Sequence, residues 1–333
     1  MSSVAVLGSG AWGTTMAQVL VDAGNSVQLW GRNSDVVAEI NDTHTNTKFL
    51  PGITLPQSLI ATTSIEQALQ ADYLVVAIPS QSLRENLENW RSIFPKNKPV
   101  ISTLKGIELE THLRMTELIE KVLGIDSKNL GLITGPNLAS ELILRQPAGA
   151  VGASTNPQLA DAISQLFKTK YFRVYTSPDL IGCELAGAFK NVIALAVGMC
   201  VGMGLGENTQ AMLITRGLNE VTKLGVALGA QPLTFAGLAG MGDLVATCSS
   251  TLSRNRQFGE VLGRSESYEK ARATVTKTVE GVSSAAAVVE LAHLVGVEIP
   301  IIEAVADVVS NTLTPQASVQ RLMALNTGAE IDH

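Results

Sequence analysis

The sequence predicts a two-domain protein: a doubly wound, mostly parallel α/β sheet in residues 1–178, then an all-α half in residues 179–333. Three observations predict it. Strand-like and helix-like stretches alternate from Val4 to Tyr175, the pattern of right-handed βαβ crossovers. At Ser177-Pro178 the alternation stops, and small apolar residues then recur in helical runs. A length of 333 residues also exceeds what a single hydrophobic core usually holds.

The first strand is the apolar run Val4 to Leu7, which leads directly into Gly8-Ser9-Gly10-Ala11-Trp12-Gly13 and a helix over Thr14 to Val21. In a strand–turn–helix unit this glycine spacing suits a dinucleotide. The first glycine makes the turn, the second lets backbone approach a pyrophosphate, and the third lets helix and strand pack closely. Ser26 to Trp30 forms the second strand. Its tip carries Arg32 and Asn33, where an acidic residue would hold the adenosine ribose of NAD. An amide and a guanidinium there can hold a 2′-phosphate, which suits NADPH. As an ordinary surface charge Arg32 would leave NADH usable.

Phe49 to Gly52 reads as a turn, Ile60 to Thr63 as a short segment and Ile65 to Gln70 as a helix. Tyr73 to Ile78 is an inner strand ended by Pro79. Then come helix Ser82 to Phe94, strand Pro99 to Leu104, helix Thr111 to Leu123, strand Leu130 to Thr134 and helix Leu138 to Arg145. Strand Ala148 to Ala153, helix Pro157 to Phe167 and strand Tyr171 to Tyr175 complete the half. Ligands of such sheets sit beyond the carboxyl ends of the strands. Lys105-Gly106 and Gly135-Pro136-Asn137 lie at two such ends.

In the second half Asp179 is placed to cap a long helix from Leu180 to about Gly204. Lys190 lies inside it among Ala186, Phe189, Val192 and Ile193, where lost solvation lowers a lysine pKa toward the range of proton transfer. Snorkelling or a structural ion pair would also account for it. A second helix spans Thr209 to Leu228. The glycine-dense loop Gly237 to Gly242 then delivers Asp243, either to pair with Lys190 or to cap the helix beginning at Leu244. Thr247 lies one turn on, able to face the same place. Ser249 to Arg256 gathers hydroxyls, an amide and two guanidiniums, as a phosphate monoester or diphosphate requires, or as a solvated loop would carry them. Val279-Glu280-Gly281 precedes a helix over Val282 to Leu294, and Ile301 to Leu313 and Ser318 to Met323 read as packing helices.

Composition excludes several classes. The net charge of -6 without a basic run argues against a nucleic-acid binder. Charged residues are 16% and hydrophobic ones 46%, which suits much buried helix and an oligomer, with a homodimer expected. Cys183, Cys200 and Cys248 lack CxxC spacing and read as buried apolar residues of a reducing, cytoplasmic compartment. His44, His112, His293 and His333 form no metal motif. The first strand begins too early for a signal peptide, and the 14-residue run Val192 to Leu205 is short for a membrane span, which takes about 20 residues.

A nicotinamide site, a buried lysine and a phosphate-like anchor point to hydride transfer on a small phosphorylated carbonyl compound, with Lys190 supplying the proton and Lys105 a second positive group. The chain resembles the bacterial NAD(P)-dependent glycerol-3-phosphate dehydrogenases over essentially its whole length. The resemblance rests on GSGAWGT from Gly8, LWGRN from Leu29, FLPG from Phe49, STLKGIE from Ser102 and GPN from Gly135. It continues in ELAGAFKNVIALA from Glu184, GLAGMGDLVATCSSTLSRNRQFG from Gly237 and VEG from Val279. It implies a Rossmann-like domain joined to an all-α domain of the 6-phosphogluconate dehydrogenase-like kind. The implied reaction is cytoplasmic reduction of dihydroxyacetone phosphate to sn-glycerol 3-phosphate for phospholipid synthesis, with NADPH or NADH. Lys190 would be the proton donor in reduction and the acceptor in oxidation. Lys105, Gly135, Asn137, Lys190, Asp243, Ser253, Arg254 and Asn255 match the substrate-contacting positions. The cofactor would meet Gly8, Ser9, Gly10, Trp12, Gly13, Arg32, Lys105, Ala139, Arg254 and Glu280, with Thr278 beside them. The family often has Ser or Thr where Asn137 stands, and Ser where Ala11 stands. A related lysine-dependent reductase of a small 2-keto or 3-hydroxy acid is the alternative.

Overall fold

The computed structural model describes residues 1–265, 268–273 and 279–325. In the first half, β1 (Ser3–Leu7), α1 (Ala11–Asp22), β2 (Ser26–Trp30) and α2 (Ser34–Thr43) precede a small hairpin, β3 (Thr45–Asn46) and β4 (Leu50–Thr54). There follow β5 (Ile60–Thr62), α3 (Ile65–Ala68), β6 (Tyr73–Val76), α4 (Leu83–Trp90), β7 (Val100–Ser102), α5 (Met115–Leu123) and β8 (Leu130–Thr134). The half closes with α6 (Ala139–Leu142), β9 (Ala148–Ala153), α7 (Pro157–Phe167) and β10 (Phe172–Ser177).

The eight-stranded sheet runs β10-β9-β8-β7-β6-β1-β2-β5. Alternate residues of β1 point to opposite faces. Val4 and Val6 join the core with Val27, Leu29, Met16 and Leu20, while Ala5 and Leu7 pack with Leu74, Val76, Leu83 and Leu118. Both faces are therefore dry, as a parallel sheet demands, and the Val-rich strands have no polar side to offer water. Chain order reverses between β1 and β6, which places the crevice for a ligand beyond Leu7 and Val76.

One part of the sheet departs from uniform winding. β9 pairs antiparallel with β8, from Leu132 opposite Ala153 to Thr134 opposite Val151, and β10 then runs parallel to β9. Between β8 and β9 the chain forms only the one-turn helix α6, too little to carry it back across the face, so it returns beside the strand it left. The turn read at Phe49 to Gly52 opens the hairpin strand β4, with Gly52 at φ 76°.

The second half is helical. It comprises α8 (Leu180–Gly202), α9 (Glu207–Ala227), α10 (Pro232–Ala236), a π-helical turn over Leu238–Gly242, α11 (Asp243–Ser249) and α12 (Arg254–Arg264). α13 (Tyr268–Ala273), α14 (Glu280–Val295), α15 (Pro300–Val309) and α16 (Pro315–Met323) follow. Asp179 caps α8 as its position suggests, accepting from Gly182 N at 2.9 Å. At 23 residues α8 is longer than the apolar run read from the sequence, and long and apolar enough to cross a membrane, but it is almost wholly buried inside the protein. It is the axis of the helical core, packed on α9, α12 and α14.

Its tightest partner is α12, which runs alongside in the same direction. A Cβ on Gly198 would come within 2.2 Å of Arg256 O, and one on Gly202 within 2.2 Å of Glu260 O. From the other side, a Cβ on Gly259 would meet Leu195 O at 2.4 Å and one on Gly263 would meet Met199 O at 2.1 Å. Backbone lies against backbone along this crossing, and only glycine fits on either face.

Candidate functional site

At the carboxyl end of β1 the three glycines occupy distinct environments. Gly8 has φ 131°, and a Cβ there would lie 2.6 Å from Ala77 O. Gly13 presses on Gly8, with 1.8 Å between its absent Cβ and Gly8 O. Gly10 has nothing within 4 Å on that side, so the surface it offers at the start of α1 is open backbone. This is a cradle that a pyrophosphate fits: a bare glycine face before a helix N-terminus, held by two glycines that can only pack. Ser9 turns its hydroxyl side onto Gly31, where a Cβ would meet Oγ at 2.3 Å. Trp12 is half-buried against the core beneath α1.

A residue the sequence did not single out braces this turn. Asn46, fully buried on β3, donates from Nδ2 to Ser9 O at 3.0 Å and to Thr14 Oγ1 at 2.9 Å. It lies 37 positions from Ser9 in the chain, so no local pattern could reveal it. Arg32 is exposed just beyond β2. Asn33, read with Arg32 as able to hold a 2′-phosphate, also caps α2, its Oδ1 accepting from Asp35 N at 2.9 Å and Val36 N at 3.1 Å, which leaves Nδ2 as its donor. Its oxygen serves the helix, and Arg32 alone is the cation at that tip.

Across the crevice, Lys190 in α8 is 7% exposed and Asp243 only 2%. Lys190 Nζ donates to Asp243 Oδ1 at 2.5 Å and to Thr247 Oγ1 at 2.6 Å. The Thr247 hydroxyl donates in turn to Asp243 O at 2.6 Å, which leaves its lone pair for the lysine. Lys105, from the loop after β7, donates to the other carboxylate oxygen, Asp243 Oδ2, at 2.7 Å and to Gly135 O at 3.0 Å. One carboxylate thus holds two lysines from opposite halves of the chain. Asp243 opens α11, yet its oxygens go to the lysines, which decides between the two roles the sequence left open.

Burial pulls the Lys190 ammonium down to about 8, with Lys105 adding to the fall and Asp243 opposing it. An ammonium has three donors, and two are committed here, which leaves one for a third acceptor. The π-helical turn ends on Asp243 and sets its direction. Its Gly240 admits no side chain, since a Cβ would meet Phe235 O at 2.2 Å.

Around this centre, Gly135 has φ 139°, and Asn137 beside it has a buried Oδ1 without a partner. Ala139 begins α6, half-buried. Ser253 caps α12, its hydroxyl accepting from Arg256 N at 3.3 Å, and Arg254 is exposed on the first turn. Asn255 faces inward: Nδ2 donates to Asn191 Oδ1 at 2.9 Å, and Oδ1 accepts from Gly281 N at 2.9 Å. Asn191 donates to Glu280 Oε2 at 3.2 Å, so Glu280 is tied to the residue next to Lys190. Thr278 and His333 lie outside the described residues. Among the described residues no group of three His, Cys, Asp or Glu side chains could hold a metal ion. Burial pushes the thiols of Cys183 and Cys248 up to about 12 and that of Cys200 up to about 11.

The structure thus brings Lys105, Gly135, Lys190, Asp243 and Thr247 into one bonded cluster. Asn191, Asn255, Glu280 and Gly281 form a second cluster that adjoins it. Such a site can hold a proton on a desolvated amine beside a nucleotide cradle.

The chain matches the family profile "NAD-dependent glycerol-3-phosphate dehydrogenase N-terminus" over residues 3–160 and the corresponding C-terminus profile over residues 179–320. It is 50% identical over 332 residues to "Glycerol-3-phosphate dehydrogenase [NAD(P)+]" of Corynebacterium glutamicum (strain R), covering 99% of this chain and 100% of that one. The enzyme of the same name from Thermobifida fusca (strain YX) is also 50% identical, covering 99% of each chain. The crystal structure of glycerol-3-phosphate dehydrogenase from Coxiella burnetii superposes with a TM-score of 0.91 at 33% identity, over 97% of this chain and 99% of that one.

Proposed function

Since the chain belongs to the NAD-dependent glycerol-3-phosphate dehydrogenase family, we propose that it reduces dihydroxyacetone phosphate to sn-glycerol 3-phosphate, reversibly, with NADPH or NADH. The observation that carries the reading is the buried Lys190–Asp243–Lys105 triad, a proton source whose carboxylate spans the two halves. When bound, the nicotinamide supplies or accepts the hydride. The residues of this chain do the rest. Lys190 offers its third N–H to the carbonyl oxygen and gives up that proton as charge develops there. Lys105 shares its positive charge between Asp243 and the same oxygen. Loss of the proton is eased by the burial that already weakens the ammonium, and Asp243 and Thr247 keep the resulting amine in place.

Gly135 and Asn137 border the substrate. Ser253 and Arg254, with Asn255 behind them, stand at the N-terminus of an 11-residue helix, which favours an anion such as a phosphate monoester. The cofactor would lie along Gly8, Ser9, Gly10, Trp12 and Gly13, with Arg32, Ala139, Arg254 and Glu280 around it. Arg32 supports a preference for NADPH through its 2′-phosphate. A nucleotide unit of residues 1–178 and a substrate unit of residues 179–333 are supported by the end of β10 at Ser177 and the start of the second profile match at residue 179. Membership of the family supports a cytoplasmic enzyme feeding phospholipid synthesis. The low charged fraction of 16% supports a homodimer, which a monomeric mass in sedimentation would remove.

A steady-state assay tests the substrate. NADPH oxidation is expected with dihydroxyacetone phosphate and to be slower by orders of magnitude with unphosphorylated dihydroxyacetone. Equal rates would overturn the phosphate reading and restore a keto-acid or hydroxy-acid reductase. In the same assay Arg32→Ala is expected to raise the KM for NADPH about tenfold, the worth of roughly one charge-assisted contact, while that for NADH stays nearly constant. A parallel loss for both nucleotides would show that Arg32 does not meet the 2′-phosphate.

A further inference from the structure

Helix α8 carries a second buried charge, Glu184, which none of the proposed substrate or cofactor contacts uses. Its side chain has no exposed surface. Oε1 accepts from Thr116 N at 2.8 Å, and Oε2 accepts from Thr116 Oγ1 at 2.6 Å and from Arg114 NH1 at 2.8 Å. Arg114 and Thr116 stand at the N-terminus of α5, in the sheet half, so the carboxylate of one half closes a helix end of the other.

Arg114 also pairs with Ile107 in an isolated bridge, and Glu108 N donates to Leu113 O at 3.0 Å, so residues 107–114 form a closed loop that begins two positions after Lys105. The sheet half grips this loop through Arg84, which donates to Glu108 at 2.8 and 2.7 Å, and through Gln81, which donates to Ile107 O at 2.9 Å. Glu184 grips it from α8, six residues before Lys190.

The Lys105–Asp243 pair also crosses between the halves, but the substrate competes for Lys105 in turnover. A contact shared with the substrate is a weaker tie between the two halves than one the reaction does not use. The Glu184 contacts are threefold, and the carboxylate that makes them has no exposed surface. We propose that Glu184 is a positioning residue: by fastening the Lys105 loop to α8 it keeps Lys105 and Lys190 on the same carboxylate while the substrate is bound. The inference rests on the assignment of Lys105 and Lys190 to the reaction.

The test uses Glu184→Gln, which keeps the shape and removes the charge, and Arg114→Met, which leaves the Thr116 bonds in place. Both are read in the full-length protein with NADPH and dihydroxyacetone phosphate. The expected result is an unchanged Kd for NADPH and a fall in kcat of about 10- to 100-fold, the scale of a misplaced catalytic group. The alkaline limb of reduction should also move above 8, because a loosened site admits water to Lys190. A lower Tm with kcat, KM and pH limb unchanged per folded molecule would overturn the proposal. If Glu184→Gln does not fold, Arg114→Met alone decides. A Lys190→Ala variant that kept full turnover would instead bring down the underlying site assignment, so the two failures are distinguishable.

Discussion

Replacing Lys190 by alanine is expected to lower turnover by about 10²–10⁴-fold, the usual contribution of a positioned proton donor, and to leave the Kd for NADPH unchanged. The nucleotide cradle lies at the carboxyl end of β1, on different elements from the lysine, so binding and chemistry should separate cleanly. The pH dependence follows from the lysine's own equilibrium. Reduction needs Lys190 protonated, and burial brings its pKa to about 8, so the reductive rate falls as pH rises through that value. Oxidation needs the neutral amine and rises over the same range. The alanine variant should lose both limbs. Fluorescence titration with NADPH and rate profiles in both directions check these outcomes, and undiminished turnover would remove the lysine from the chemistry.

The second large effect concerns stability. Gly259→Val is expected to destabilise the protein by about 3 kcal/mol or more, at the upper end of what overpacking a core costs. Valine in a helix normally gains a few tenths of a kcal/mol over glycine, so the sign alone is informative. At Gly259 a Cβ would meet Leu195 O at 2.4 Å and Gly198 Cα at 2.9 Å. Neither atom can rotate away, because both belong to the backbone of α8. The helices would have to part, which opens a gap along Gly202 and Gly263 and moves Asn255 off Asn191. Calorimetry and urea unfolding give the size of the loss. A variant within a degree of the parent Tm would mean that the crossing is looser than its geometry indicates.

Much of this was legible from local pattern. The strand–glycine–helix unit at Val4 announced the cradle because Gly8 and Gly13 have steric reasons at their spacing and Gly10 leaves open backbone. β8, β9 and α7 have the bounds their apolar periodicity suggested. Lys190 stood out because a charge among Ala, Phe, Val and Ile has few explanations, and Asp243 and Thr247 followed from a loop that could deliver them. Pairings over long separations were not legible. Alternation of strand and helix reads the same whether β9 runs parallel or antiparallel, since only the length of α6 decides. Glu184 meets Thr116 across 68 positions, and Asn46 meets Ser9 across 37. The cap role of Asn33 was not legible either, because it rests on where its oxygen points, while its Nδ2 is still a donor.

The π-helical turn before Asp243 stores the alignment of the site in a count of residues. A π turn holds more residues than the 3.6 of an α-helical turn, and each residue of an α-helix advances the side-chain direction by about 100°. Asp243 therefore meets both lysines because five residues, Leu238 to Gly242, set the phase with which α11 begins. In evolutionary terms the length of this segment is less free than its composition. A change of letter at an exposed position such as Met241 leaves the phase untouched, whereas gain or loss of a single residue would swing the carboxylate away from both lysines at once.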